Sequence, residues 1–281
     1  MAEVAEDKLA KIQQIETQGP SVEVGAMRLR LLKEMMGARV DQRAEYVVVS
    51  GCNAPFRFYH VKSFVDLLER LGVDYSFLSK EFCCGNSYLP KNERSPELEA
   101  LEPYAVNHEA HNMAAAESLG ARALVTFCAN CNARYRRHLV NPSLPILYWA
   151  DLILDKLGGL ALETTIDFYE GFHRDQNAIL PGAMDPAIGK SLLRRIDGLA
   201  YNEIDSDMCC KQKPQDIFAA VRTGLLVTPT SCCYGYLSRT RPRETRLVFL
   251  TDILLWALED ENALLGARQR GLVPAIPKAM A

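Results

Sequence analysis

The chain has 281 residues, of which 48% are hydrophobic and 24% charged, the composition of a globular protein long enough for two modest domains with real cores. A formal net charge of -3 removes the broad basic surface that nucleic acid or anionic lipid would require. The first twenty residues, MAEVAEDKLAKIQQIETQGP, mix charges and lack the apolar core of a signal peptide, so a cytoplasmic, reducing environment is expected.

In chain order, residues 1–44 read as an N-terminal helical extension whose amphipathic stretch AMRLRLLKEMM (26–36) is expected to pack on its own domain. EYVVVSGC (45–52) is a β-branched run that ends at Cys52, and VKSFVDLLERLGV (61–73) carries a helical apolar period with Gly72 as its stop. DYSFLSKEFCCG then gives a second short strand and the pair Cys83-Cys84. EAHNMAAAESLGARALVTFCANC (109–131) gives a helix, a strand and Cys128-x-x-Cys131. Strand alternating with helix predicts an α/β protein with parallel sheets. LVFLTDILLWAL (247–258) is the most apolar late stretch; it contains Asp252 and falls short of the ~20 apolar residues of a membrane span, so none is expected.

The second half repeats the first. Gly72 stands eleven positions ahead of Cys83, as Gly198 does ahead of Cys209; LVTFCANC (124–131) resembles LVTPTSCC (226–233); LYWADLIL (147–154) resembles VFLTDILL (248–255). Four landmarks in one order predict two Rossmann-like parallel-sheet halves, related by a pseudo-twofold axis, with cysteines at the C-terminal strand ends. The expected domains are 45–163 and 164–260, with a tail at 261–281. TIDFYEGF (165–172) matches the first strand, so Phe172 stands where Cys52 would have a counterpart. The same alignment pairs Cys131 with Cys233 and Cys128 with Thr230, and leaves Cys232 without a partner.

Nine cysteines in five tight places, Cys52, Cys83-Cys84, Cys128 with Cys131, Cys209-Cys210 and Cys232-Cys233, need an explanation beyond small buried hydrophobes. Adjacent cysteines rarely bridge each other, because a disulfide wants Cα atoms about 5.5–6 Å apart and a trans peptide holds them near 3.8 Å. In a reducing compartment such clusters point to metal or redox chemistry. The edge of a parallel sheet where strands end is where ligands bind, so Cys52, Cys83, Cys84, Cys128 and Cys131 are expected to converge. Five thiols exceed the four of tetrahedral zinc and suit an iron–sulfur cluster of unusual type better.

Cys52, thirty residues, Cys83-Cys84-Gly85, and Cys128-x-x-Cys131 with forty-three residues between Cys84 and Cys128 together resemble the cysteine-rich CCG domain of B-type heterodisulfide reductase subunits and their relatives in glycolate oxidase, lactate-utilisation and succinate dehydrogenase systems. The resemblance spans roughly residues 45–260. It implies a noncubane [4Fe-4S] cluster on the first five cysteines, where a disulfide is split in two one-electron steps. It also implies partner subunits of a heterodisulfide-reductase-like complex carrying flavin and ferredoxin-type clusters, and a disulfide or sulfane-sulfur substrate, free or protein-bound. The second motif departs from the pattern: it lacks counterparts of Cys52 and Cys128, and Lys211 follows Cys210 where the family has glycine. Cys209, Cys210, Cys232 and Cys233 are therefore expected to meet and to hold a second iron–sulfur cluster or zinc, or else to act as a metal-free dithiol pair. The degenerate motif and the extension fit a B-type member of a sulfur-oxidising complex. The alternatives are a pure electron-transfer subunit of a quinone-linked dehydrogenase and a zinc-stabilised scaffold.

His60, His108, His111, His138 and His173 are scattered. His173, beside Phe172, is a candidate substitute ligand at the second site, set against an ordinary polar residue at a strand end. The basic run NARYRRH (132–138) reads as a solvated helix face, or as placing Arg134, Arg136 or Arg137 near the site to offset cluster charge or draw an anionic substrate. No GxGxxG or Walker loop is present, so nucleotide or flavin binding is not indicated.

Overall fold

A computed structural model describes residues 5–19, 25–52, 58–90, 95–171 and 173–259. The elements in order are α1 (Glu6–Gln18), α2 (Gly25–Arg30) with a π-helical turn over Leu31–Met35, β1 (Tyr46–Val49), α3 (Phe58–Arg70), β2 (Tyr75–Phe77), α4 (Pro96–Ser118), β3 (Ala123–Thr126), α5 (Ala129–His138), β4 (Ile146–Tyr148) and α6 (Trp149–Lys156). The second series is β5 (Leu160–Phe168), α7 (Arg174–Ile179), α8 (Ile188–Leu193), β6 (Ile196–Glu203), α9 (Pro214–Ala219), β7 (Leu225–Thr228), α10 (Ser231–Thr240), β8 (Arg246–Phe249) and α11 (Leu250–Leu258).

Each series builds a four-stranded, all-parallel sheet, in the orders β2-β1-β3-β4 and β6-β5-β7-β8. The central strands β1, β3 and β7 are buried along their whole length, which is why they read as unbroken β-branched and aliphatic runs rather than alternating ones. Registers reproduce the sequence repeat residue by residue. Tyr46 pairs with Tyr75 as Ile166 pairs with Tyr201, and Leu124 pairs with Ile146 as Leu226 pairs with Leu247. Gly72 and Gly198 stand at matching places ahead of those tyrosines, and both are left-handed, at φ +63° and +80°. Gly72 lies in a turn before β2, whereas Gly198 lies inside β6, which begins earlier and meets β5 across a register shift.

Two compact units emerge, and neither is continuous in sequence. One comprises residues up to Val61, Val73–Leu152 and His173–Asp185; the other comprises Lys62–Gly72, residues 153–172 and the chain from Pro186. Segment 173–185 is thus grouped with the first sheet, where Asn132 Nδ2 and Arg136 Nη1 donate to the Ala183 carbonyl at 2.9 Å each and Arg137 Nη1 donates to that of Ile179 at 3.1 Å. The expected tail at 261–281 lies outside the described residues, and among the described residues no helix is long and apolar enough to cross a membrane.

Helix α4 starts well before the expected 109, at Pro96, with Pro103 tolerated within it. The short strand expected within DYSFLSKEFCCG is Tyr75–Phe77, and Cys83 and Cys84 ride on irregular chain beyond it.

Candidate functional site

The first cysteine group assembles at the carboxyl ends of β1, β2 and β3. After β1 the chain runs Ser50-Gly51-Cys52, and Gly51 is at φ +83°. A Cβ on Gly51 would meet Cys128 Cβ at 2.9 Å and Cys131 Sγ at 3.4 Å, so glycine is what lets the Cys52 loop lie against the knuckle. Cys128 is the N-cap residue of α5, and Cys131 sits in the first turn of that helix.

Two polar clamps hold the Cys83-Cys84 chain. Asn112 on α4 accepts from the Phe82 N–H at 2.9 Å and donates to its carbonyl at 2.8 Å, while Nδ2 also donates to Tyr135 Oη at 2.5 Å. Glu81 accepts from the Gly51 N–H through Oε1 at 2.7 Å and from the Ser50 N–H through Oε2 at 2.9 Å, tying the chain before Cys83 to the chain before Cys52.

The five thiols form one unbroken run of contacts. Cys131 Sγ donates to Cys84 Sγ at 3.3 Å; Cys84 meets Cys83, Cys83 meets Cys52, and Cys131 meets Cys128. Cys83, Cys84 and Cys131 are buried, and Cys52 and Cys128 half-buried. Hydrogen bonds from Cys52 and Cys84, and one from Ser87, pull the Cys83 thiol well down. Donation to Cys83 and burial push Cys52 up. Cys131 is raised by its contacts with Cys128 and Cys84 and by burial. Cys84 accepts from Cys131, which lowers it, but donation to Cys83 and burial raise it overall. The contacts thus favour the charged form at Cys83 and disfavour it at Cys52, Cys84 and Cys131, so ionising the group together needs compensating positive charge of the kind a metal centre supplies. Among the described residues no three Cys, His, Asp or Glu side chains are spaced as a single-ion shell.

Around the thiols the wall is apolar and aromatic. Ile12 and Ile15 of α1 pack with Cys83, Tyr88, Leu89, Leu98, Leu101 and Ala105, and Cys52 joins the same cluster. Tyr88 Oη lies 3.1 Å from His108 Nδ1, and Phe82 stacks on the His108 ring at 5.4 Å. Burial lowers His108, and it pushes the Tyr88 hydroxyl far up, helped by Cys83 and Cys84. Both groups are neutral near pH 7.

Arg134 is 1% exposed, so the run 132–138 is not the solvated face its composition suggests. Its charge faces Glu109, a buried carboxyl that burial raises well above the usual range and whose Oε2 lies 2.9 Å from His138 Nδ1. His138 is lowered to about 4 by burial and by Arg134 and Arg137. Arg136 and Arg137 bond the carbonyls of segment 173–185, as described above. His60 is buried with its ring tilted against Phe127, and His111 is exposed and edge-on to Phe82. His173 is buried, stands as the N-cap residue of α7 at φ +33°, and groups with the first unit; burial lowers it to about 4.

The second cysteine group repeats the first with substitutions. Cys210 Sγ donates to Cys233 Sγ at 3.4 Å, as Cys131 meets Cys84, and Cys233 also contacts Cys232. Cys209 is near enough to Tyr169 to raise that hydroxyl together with Cys233 and Cys210, after burial. Thr230 is the N-cap residue of α10, the place Cys128 has on α5, and its Oγ1 donates to the Glu170 carbonyl at 2.9 Å. Phe172 lies outside the described residues.

Sequence reasoning missed Arg28, Glu81 and Asn112. Their only sequence signal is position: Glu81 stands two residues before Cys83, while Arg28 and Asn112 come from helices whose periodicity marks packing, not polar clamping.

Compared with known families, residues 46–135 match the model of the cysteine-rich CCG domain. That domain occurs in heterodisulfide reductase B-type subunits, and it points to iron–sulfur redox chemistry. The match covers Cys52, Cys83, Cys84, Cys128 and Cys131, and ends before the second cysteine group. A search of curated proteins gives no match.

Proposed function

We propose that the chain is the iron–sulfur subunit of a heterodisulfide-reductase-like complex, of the sulfur-oxidising type, acting on a disulfide or sulfane-sulfur substrate in the cytoplasm. The observation that carries this reading is the run of contacts Cys128–Cys131–Cys84–Cys83–Cys52 inside the CCG-matched segment. Those five cysteines would hold a noncubane [4Fe-4S] cluster, and their soft donors and shared burial fit it. When bound, such a cluster supplies single electrons to sulfur chemistry.

The residues around it have roles of their own. Cys83, whose thiol the hydrogen bonds from Cys52, Cys84 and Ser87 pull down, would be a ligand whose charged form the site already favours. Ile12, Ile15 and Leu101 exclude water from the Cys83 side, and Tyr88 and His108 form its neutral polar lining. Cys52 and Cys128 are the half-exposed members, so a substrate sulfur reaches the group from their side. Partner subunits with flavin and ferredoxin-type clusters would exchange electrons with it. The four thiols Cys209, Cys210, Cys232 and Cys233 would hold a second iron–sulfur cluster or zinc.

Burial of Cys83, Cys84 and Cys131 favours one second reading, a pure electron-transfer subunit of a quinone-linked dehydrogenase. Iron and acid-labile sulfide analysis of anaerobically purified protein, with paramagnetic resonance in the presence of a disulfide, tests both. A noncubane signal that changes on adding disulfide supports the first; an unresponsive cluster supports the second; stoichiometric zinc without labile sulfide excludes both.

A further inference from the structure

The N-terminal extension lies outside the CCG-matched segment, yet it places one guanidinium between the chain segments that lead to Cys52 and to Cys83. Arg28 is fully buried. Its Nη1 donates to the Leu78 carbonyl at 2.6 Å and to that of Ser79 at 3.3 Å; Nη2 donates to Glu81 Oε2 at 2.5 Å and to Ser50 Oγ at 3.2 Å; Nε donates to Ser50 Oγ at 3.4 Å. Glu81 in turn holds the N–H groups of Ser50 and Gly51. The guanidinium therefore binds the chain that leaves β2 and, through Glu81 and Ser50, the chain that leaves β1. Cys52 follows Gly51 directly, and Cys83 follows Glu81 by two residues.

From this juxtaposition we infer that Arg28 is a positioning residue, which sets the distance between the Cys52 loop and the Cys83-Cys84 loop by clamping Glu81 and Ser50 between the ends of β1 and β2. Three features separate it from ordinary core packing. A planar fork with several fixed donors is the group that can hold two carbonyls, a hydroxyl and a carboxylate at once. The ion pair is internal and balanced, so it leaves no charge to attract substrate; its product is geometry. The Cys84–Cys131 contact, by contrast, depends on α5 and the Asn112 clamp, neither of which Arg28 touches among the bonds described. The clamp should thus govern one thiol contact of the run and not its neighbour.

This inference rests on the proposed function for its meaning, but its test needs no cluster. Metal-free, fully reduced protein is treated with diamide, which takes two electrons and two protons from a thiol pair to give a disulfide and the hydrazine. Tryptic peptides are then mapped by mass spectrometry. In wild type, the Cys52 peptide joins the Cys83-Cys84 peptide, and the Cys128/Cys131 peptide joins it as well. In Arg28→Met the first crosslink is expected to fall at least several-fold while the second persists, and Arg28→Lys is expected to restore part of the first. Loss of both crosslinks in Arg28→Met, or of neither, overturns the inference. Ser50→Ala removes one link of the same clamp without leaving an unpaired charge, so it serves where Arg28→Met fails to fold: selective weakening of the Cys52 crosslink is expected, and an unchanged ratio overturns the inference. Absence of iron from the wild-type protein would defeat the proposed function and leave this ratio intact.

Discussion

Gly51 and Gly171 occupy the same place in their two sheets. A Cβ on Gly51 would meet Cys128 Cβ at 2.9 Å and Cys131 Sγ at 3.4 Å; a Cβ on Gly171, at φ +106°, would meet Thr230 Oγ1 at 3.0 Å and Cys233 Sγ at 3.1 Å. The pair shows directly that Thr230 holds the position of Cys128, and that the second site kept the loop approach while losing a thiol. Gly51→Ala should cost ~1–2 kcal/mol for the left-handed backbone alone, with the contact to Cys128 added. Chemical denaturation of the metal-free protein measures it, and a variant as stable as wild type would contradict the close approach.

Asp252 gives a pH prediction distant from the cysteines. Burial raises its carboxyl from 3.8 to about 7, although the Phe249 N–H, Ser63 and Arg246 favour the charged form, while Asp66 opposes it. Between those values the folded chain binds a proton that the unfolded chain has released. Its contribution to stability is therefore fully present below about pH 4 and falls as pH rises through 7, with a ceiling on the order of 4 kcal/mol. Asp252→Asn keeps an acceptor for Phe249 and should flatten the slope. Unfolding free energies at pH 5 and pH 8 check this; equal slopes in wild type and variant would contradict it.

The parts of this molecule legible in the sequence are those carried by local pattern. EYVVVSGC and ALVT declare buried parallel strands because both faces of a sheet covered by helices demand apolar residues throughout. The correspondence of Leu124 with Leu226 is visible because β3 and β7 are both buried along their whole length and carry the same Leu-Val-Thr run. The five converging cysteines follow from strand ends meeting at one edge. What the sequence conceals is long-range. Arg28 lies fifty-three positions from Glu81 and resembles any arginine of an amphipathic helix until the fold buries it. Arg134 sits in a run whose composition reads as solvated, and only its approach to the buried Glu109 shows otherwise. Segment 173–185 follows a strand of the second sheet yet groups with the first, because the donors that cap its carbonyls, Asn132, Arg136 and Arg137, belong to α5.

Asn112→Ala should unfold more readily, because it leaves the Phe82 N–H and carbonyl without the amide that satisfies both. Stranding such buried groups costs ~1–3 kcal/mol each. Urea denaturation is the measurement, and a loss under ~0.5 kcal/mol would show that Phe82 finds other partners.

The second cysteine group is tested by replacing Cys209 and Cys233 together with serine and counting iron per chain. If both groups hold clusters, iron falls by about half while the signal of the first cluster persists. Unchanged iron with lost activity would assign Cys209, Cys210, Cys232 and Cys233 to thiol exchange without metal.

The central claim is that the run Cys128–Cys131–Cys84–Cys83–Cys52 holds one noncubane [4Fe-4S] cluster. Paramagnetic resonance of anaerobically purified protein, paired with iron and labile-sulfide analysis of wild type and Cys84→Ser, tests it most directly. The account predicts iron and sulfide in equal amounts, a signal unlike that of a cubane, and loss of that signal in Cys84→Ser with the second group intact. Zinc in place of iron, or a cubane signal that survives Cys84→Ser, would contradict it.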